Sequence, residues 1–206
     1  MVYYYINIFF LSILLLIPLS VLSEESARIA YDSGVMLAAE GNFSSAKSSF
    51  QKALQIDSLF VPARLNLSIV EDVLAQRLEN EAALHYFSAI EWGNQDSLEM
   101  KINELSRALE INPHFGLAYN ERGIAFAKVF DFERAIDDYD SALTLLPEAP
   151  EIYFNKALSC DNATSFDEAR NAYMKFLEYT PPNYDWYIIY ARKRIREINQ
   201  MGAEEN

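Results

Sequence analysis

Residues 116–149 read GLAYNERGIAFAKVFDFERAIDDYDSALTLLPEA, and this stretch decides the fold. Tyr119 and Gly123 sit four apart in its first half, and Ala135 and Tyr139 sit four apart in its second. That spacing places each pair on one face of a helix. Pro147 then ends the second helix and sets the next turn. The same register returns along the chain. Pro113, Pro147 and Pro181 close the segments SRALEINP, DSALTLLP and MKFLEYTP at intervals of 34 residues, and Ser58 takes that place in QKALQIDS.

The columns inside the period agree. Small residues recur at Gly34, Ala89, Gly123 and Ala157, and large apolar ones at Phe43, Leu98, Phe132 and Phe166. Alanine recurs at Ala46, Ala135 and Ala169, with Lys101 as the exception. Phe50, Leu105, Tyr139 and Tyr173 follow, then Ala53, Ala108, Ala142 and Phe176, and directly after them Leu54, Leu109, Leu143 and Leu177. Small residues allow two helices of one unit to approach closely, and the larger ones form the stripe that packs on a neighbour.

On Tyr119, Gly123, Ala135, Tyr139 and Pro147 the chain resembles the tetratricopeptide repeat family, across roughly residues 27–183. The resemblance implies an all-α fold, a right-handed solenoid of helical hairpins. Units are expected near 27–60, 82–115, 116–149 and 150–183. Residues 61–81 interrupt the period as an extra helical segment. Neither Gly nor Pro occurs from Ala63 to Trp92, so the favoured reading is one continuous helix about 45 Å long. The alternative is two helices with a break near Glu79-Asn80.

Residues 184–200 read as a capping helix. Trp186, Ile189, Ile195 and Ile198 give it an apolar side, and Arg192, Lys193, Arg194 and Arg196 a charged one. A polar-faced cap is what ends a stack of repeats in water. The tail from Gly202 to Asn206 is expected to fray.

The first 23 residues carry no charged side chain. Their apolar run, Ile6 to Ile17, suits a signal-peptide core, and Val21-Leu22-Ser23 resembles a cleavage site. An uncleaved membrane anchor is the other reading. Either places the body outside the cytoplasm, secreted or periplasmic-like, with membrane contact only through this segment.

The formal net charge of −13 speaks against nucleic acid, whose phosphates need clustered cations. Cys160 is the single cysteine, so no intrachain disulfide can form. His85 and His114 have no partner at ligand spacing, which leaves no metal site to assign. No catalytic constellation, phosphate-cradling loop or cofactor motif is present. The acidic run Asp137, Asp138 and Asp140 reads as a solvated helix face. The Arg192–Arg196 cluster reads as balancing a helix dipole and the acidic body, ahead of contact with phosphate or acidic lipid. Three Asn-x-Ser/Thr sequons stand at Asn42, Asn66 and Asn162.

The family resemblance implies a protein or peptide partner, held in a groove lined by the first helix of each unit. The candidates are Tyr31, Val35, Tyr86, Ile90, Leu117, Asn120, Ile124, Phe154 and Leu158. Covering of some of them by a neighbouring unit or the C-terminal helix is the alternative. Co-chaperone arrays of this family grip a terminal carboxylate with paired cations and asparagines. Here the cation places fall on Tyr86, Glu151 and Asn155, and only Asn120 fits that pattern. The expected role is an exported, non-enzymatic interaction scaffold. A self-associating structural or assembly component is the alternative.

Overall fold

A computed structural model describes residues 19–94, 97–180 and 185–204. The expected leader lies outside the described residues except for its last five, which open the first helix. The helices are α1 Leu19–Ala39, α2 Phe43–Ile56, α3 Val61–Leu74, α4 Asn80–Asn94, α5 Leu98–Ile111, α6 Gly116–Lys128, α7 Phe132–Leu145, α8 Pro150–Asn162, α9 Phe166–Tyr179 and α10 Asp185–Glu204. No strand occurs among the described residues. No described helix is long and apolar enough to cross a membrane. The chain divides into two compact units, Met1–Phe87 and Ser88–Asn206, and the division falls within α4.

Local chemistry sets the helix ends. Asn42 and Asp131 cap α2 and α7, their side chains accepting from the backbone N–H of Ser45 and Arg134. Prolines occupy the first turns of α3 and α8, where a missing N–H costs nothing. The turn after the first helix of a hairpin follows one recipe. Gly41, Phe130 and Thr164 adopt positive φ of 79°, 63° and 61°. Their N–H groups bond carbonyls three residues back, at Ala38, Ala127 and Asp161. The next N–H groups, of Asn42, Asp131 and Ser165, reach five back, to Leu37, Phe126 and Cys160. This paired closure satisfies the orphan carbonyls of the helix end.

The same recipe recurs where a continuous helix was expected. Gln76 takes φ 57°, its N–H bonds Val73, and Arg77 N–H bonds Asp72. The helix across Ala63–Trp92 therefore does not form, and α3 and α4 are separate. Residues 61–81 are not a lone insertion. Val61 begins α3 34 residues after Ala27, and Ala83 and Phe87 repeat Ala46 and Phe50 with three residues added to the turn.

In the first unit, α1 and α2 pair as a hairpin and α3 packs on α2 and alongside α1. Gly34 makes the pairing possible. A Cβ there would lie 2.5 Å from the Phe50 ring. Phe50 also stacks on Phe87 of α4 at 6.2 Å between ring centroids. Each fully buried ring of this kind contributes about 1.5–3 kcal/mol. Ala30, Ala53 and Ala63 form a further buried cluster with Tyr31, Leu54 and Phe60 against it.

In the second unit, α6–α7 and α8–α9 are hairpins, α5 packs on α6, α7 on α8, and α9 on α10. Gly123 repeats the role of Gly34, with Tyr139 2.8 Å from where its Cβ would stand. The exception in the alanine column is accommodated. Lys101 buries its stem and donates its Nζ to Glu121 Oε2 at 2.6 Å.

The C-terminal helix differs from its sequence reading. Ala191 and Ile198 point inward, with Ile188, Tyr190 and Ile195 packed beside them. Trp186 and Ile189, assigned to the apolar side, are 65% and 66% exposed. Arg194, assigned to the charged side, turns inward to Asp161. The outer side of the cap is therefore mixed, with Arg192, Lys193 and Arg196 exposed beside Trp186 and Ile189. Of the expected fraying tail, Gly202 to Glu204 are helical, and 205–206 lie outside the described residues.

Candidate binding surface

The first helices of successive hairpins, α6 and α8, lie side by side in the second unit. Asn120 sits mid-way along α6 and Asn155 mid-way along α8. Asn155 Nδ2 donates to Asn120 Oδ1 at 3.3 Å. Among the described residues, this bond is the only one made by either side chain. Asn120 Nδ2 keeps a donor and Asn155 Oδ1 an acceptor, the complement of one backbone peptide group. Half-buried Leu117, Ile124 and Leu158 flank the pair.

The ions beside them are committed. Lys101 bonds Glu121, and Arg122 bonds Asp138 through both nitrogens of its fork. Lys156 is bound by Asp140. Glu121, held by Lys101, and Glu151 are half-buried on α6 and α8, and Lys128 in the last turn of α6 is a cation with no such partner among the described residues. The acidic run of α7 is thus split. Asp138 is buried in an ion pair, against the expectation of a solvated face, whereas Asp137 and Asp140 are exposed.

Asn120 is itself only 8% exposed, and most of the remaining candidates are as deeply placed. Val35, Tyr86, Ile90 and Phe154 are buried, and Tyr31 is half-buried. Phe154 is covered by the chain's own C-terminal helix, with Tyr187 and Tyr190 at 5.1 and 5.9 Å between ring centroids. The first unit spends its polar groups internally. Asn66 Nδ2 donates to the Tyr31 hydroxyl at 3.1 Å, and the Tyr86 hydroxyl donates to Asn66 Oδ1 at 3.2 Å. Tyr31 and Asn66 are 35 residues apart, as are Asn120 and Asn155. That matched separation was the available sequence signal for Asn66 and Asn155, which were read only as a sequon and as an unsuitable cation position.

An open pocket of about 330 Å³ lies between α8 and α10, lined by Leu158, Asp161, Asn162, Tyr190, Lys193, Arg194 and Glu197. Arg194 crosses it in a bidentate pair with Asp161 at 2.6 and 2.7 Å, which raises its pKa. Cys160, one residue before Asp161, is buried, and burial foremost pushes its thiol up to about 11. A thiol so placed is a poor nucleophile at neutral pH. No cluster of three or more His, Cys, Asp or Glu able to hold a metal occurs among the described residues. Of the sequons, Asn66 is 3% exposed, whereas Asn42 and Asn162 are exposed at the ends of helices.

Comparison with known proteins agrees with this architecture. The tetratricopeptide repeat family model matches residues 27–58 and 150–183. A small glutamine-rich tetratricopeptide repeat-containing protein 2 from Mycosarcoma maydis is 25% identical over 59% of this chain. The match spans 31% of that protein's own length. The first such domain of Spaghetti (RPAP3), solved with the HSP90 peptide SRMEEVD, has a TM-score of 0.53 at 19% identity, covering 61% of this chain and 98% of its own. The TPR2B domain of yeast Sti1, solved with an Hsp70 peptide, has a TM-score of 0.54 at 16% identity, covering 60% and 99%. The Sgt2 domain from Aspergillus fumigatus has a TM-score of 0.53 at 17% identity, covering 60% and 84%. At these identities the structural likeness establishes the fold.

Proposed function

We propose that this chain, an all-α array of tetratricopeptide repeats, is an exported interaction scaffold that binds an extended peptide or partner helix along α6 and α8. The observation that carries the reading is the Asn120–Asn155 pair with its unspent donor and acceptor. Backbone bonds to such amides fix a segment in register, and Leu117, Ile124 and Leu158 supply apolar contact. Of the solved structures named above, the Spaghetti domain holds the HSP90 peptide SRMEEVD, which ends in an acidic residue, and the Sti1 domain holds an Hsp70 peptide. The cations beside the pair are already held, Lys101 by Glu121 and Lys156 by Asp140, which leaves Lys128 in place of paired cations, so the favoured ligand is one without an acidic terminus. Export rests on the uncharged N-terminal 23 residues.

The test is fluorescence polarisation of the full chain, held in mild detergent, against peptide arrays that vary terminal charge. Saturable binding of segments without an acidic terminus is expected, and Asn155→Ala should weaken it about fivefold with little change in helicity. Preference for acidic C-terminal peptides, or no saturable binding, would overturn the reading. N-terminal sequencing of material from cell fractions tests export independently.

A further inference from the structure

Two outward helix faces, one on each unit, carry exposed apolar residues that no described element covers. On α1, Glu25, Ile29, Asp32 and Met36 recur at helical spacing along one side. Ile29 is 64% and Met36 50% exposed. Neither Glu25 nor Asp32 has a partner among the described residues, and Arg28 stands at the margin of the stripe. On α10, Trp186, Ile189, Lys193 and Arg196 likewise share one side, with Arg192 next to them. Lys193 is loosely paired with Glu197 at 3.5 Å, while Arg192 and Arg196 have no ion pair among the described residues.

We propose that copies of this chain associate head to tail, the α10 face of one copy seating on the α1 face of the next. Each face offers two large apolar side chains. Their charges are opposite, acidic on α1 and basic on α10. Complementary potentials select the partner and its register, and like-charged faces repel. A symmetric dimer through either face would oppose like charges, so the fit is heterologous. A heterologous contact that does not close into a ring propagates. An anionic lipid surface would suit α10 and leave the α1 face unanswered, whereas a second copy satisfies both. One helix face is a small interface, so the contact is weak and concentration-dependent. This proposal does not rest on the peptide-binding reading, because it uses neither α6 nor α8.

The experiment is sedimentation velocity on the full chain in excess nonionic detergent. Mass should climb past two copies with concentration and fall as salt is added. Reversing Arg192, Lys193 and Arg196 to Glu together should weaken association at least about tenfold, as should Glu25→Lys with Asp32→Lys. Mixing the two charge-reversed proteins should restore association, because each reversed face then meets its complement. Circular dichroism confirms that the variants fold, and the milder Trp186→Ser should also reduce association. A mass that stops at two copies, insensitivity to either reversal, or a mixture that stays dissociated would overturn the proposal. So would a chain monomeric at all concentrations whose α10 cations instead drive pelleting with phosphatidylserine vesicles.

Discussion

Arg122 of α6 and Asp138 of α7 face each other through two bonds of 2.8 Å, Nε to Oδ2 and Nη2 to Oδ1. The third nitrogen of the same guanidinium donates to Ser106 Oγ on α5 at 3.1 Å. One side chain thus ties three successive helices. The carboxylate side chain is 7% exposed and the guanidinium 21%. A pair so shielded is costly to break from one side only, because the survivor keeps its charge without its partner.

Asp138→Ala is therefore expected to lower stability by about 3 kcal/mol, with Arg122→Ala costing a similar amount. The double variant Arg122→Met with Asp138→Leu should recover most of that loss, since it leaves no stranded charge. Urea unfolding of the four proteins as a double-mutant cycle measures the coupling. Single losses well under 1 kcal/mol would show that water screens the pair.

The approach of Gly123 to Tyr139 gives a second prediction. A methyl group at Gly123 would meet Tyr139 Cε1 at 2.8 Å and Cδ1 at 3.0 Å. In the last hairpin Ala157 stands opposite Tyr173, so the ring can be accommodated at the cost of a shift. Gly123→Ala should cost about 1–3 kcal/mol from overpacking, despite the better helix propensity of alanine. Adding Tyr139→Leu should return part of that loss, because Ala89 and Leu105 hold the same two columns, both fully buried. Thermal unfolding of the single and double variants decides it.

These contacts explain what was legible in the sequence. Gly34 with Phe50 and Gly123 with Tyr139 are each 16 residues apart, and a contact that must recur leaves a period. The hairpins followed from that period. The turn at Gln76 left no such mark, because its positive φ is held by backbone bonds without a glycine. The orientation of α10 was equally hidden. Hydrophobicity alone assigned Trp186 and Ile189 to the inside, but the inner face is set by what α9 offers. Arg194 is drawn in by Asp161, 33 residues away. Asp138 was misread for the same reason, since its partner lies on another helix. Of the expected groove, the sequence named Asn120 but not Asn155, and it could not show that α10 covers Phe154.

Alkaline pH offers a third prediction. Burial raises the Cys160 thiol from 9.0 to about 11. The folded state then holds its proton where the unfolded chain has lost it. The stabilisation is complete below pH 9 and disappears as pH rises through about 11. Its size is at most about 2–3 kcal/mol. Burial also raises the buried hydroxyls of Tyr139 and Tyr173, which adds a later alkaline loss. Stability should therefore fall between pH 9 and 11 in the native protein and fall less in Cys160→Ala, as read from urea midpoints. At pH 8 a thiol reagent should react slowly with the folded chain and rapidly once urea unfolds it.

The break between α3 and α4 supplies a sign test. Gln76 holds φ 57°, a conformation that costs an ordinary side chain about 1 kcal/mol relative to glycine. Gln76→Gly should then stabilise the protein by about 0.5–1 kcal/mol, the gain being trimmed by the greater freedom of the unfolded chain. Gln76→Val should destabilise it by about 1–2 kcal/mol, because a β-branched residue tolerates this region worst. Were residues 63–92 one unbroken helix in solution, Gln76→Gly would instead destabilise the protein, and by more than Gln76→Val. Glycine inside a helix costs about 1 kcal/mol relative to alanine, and valine is the better helix former of the two. Unfolding midpoints of the two variants therefore distinguish a turn from a helix at Gln76.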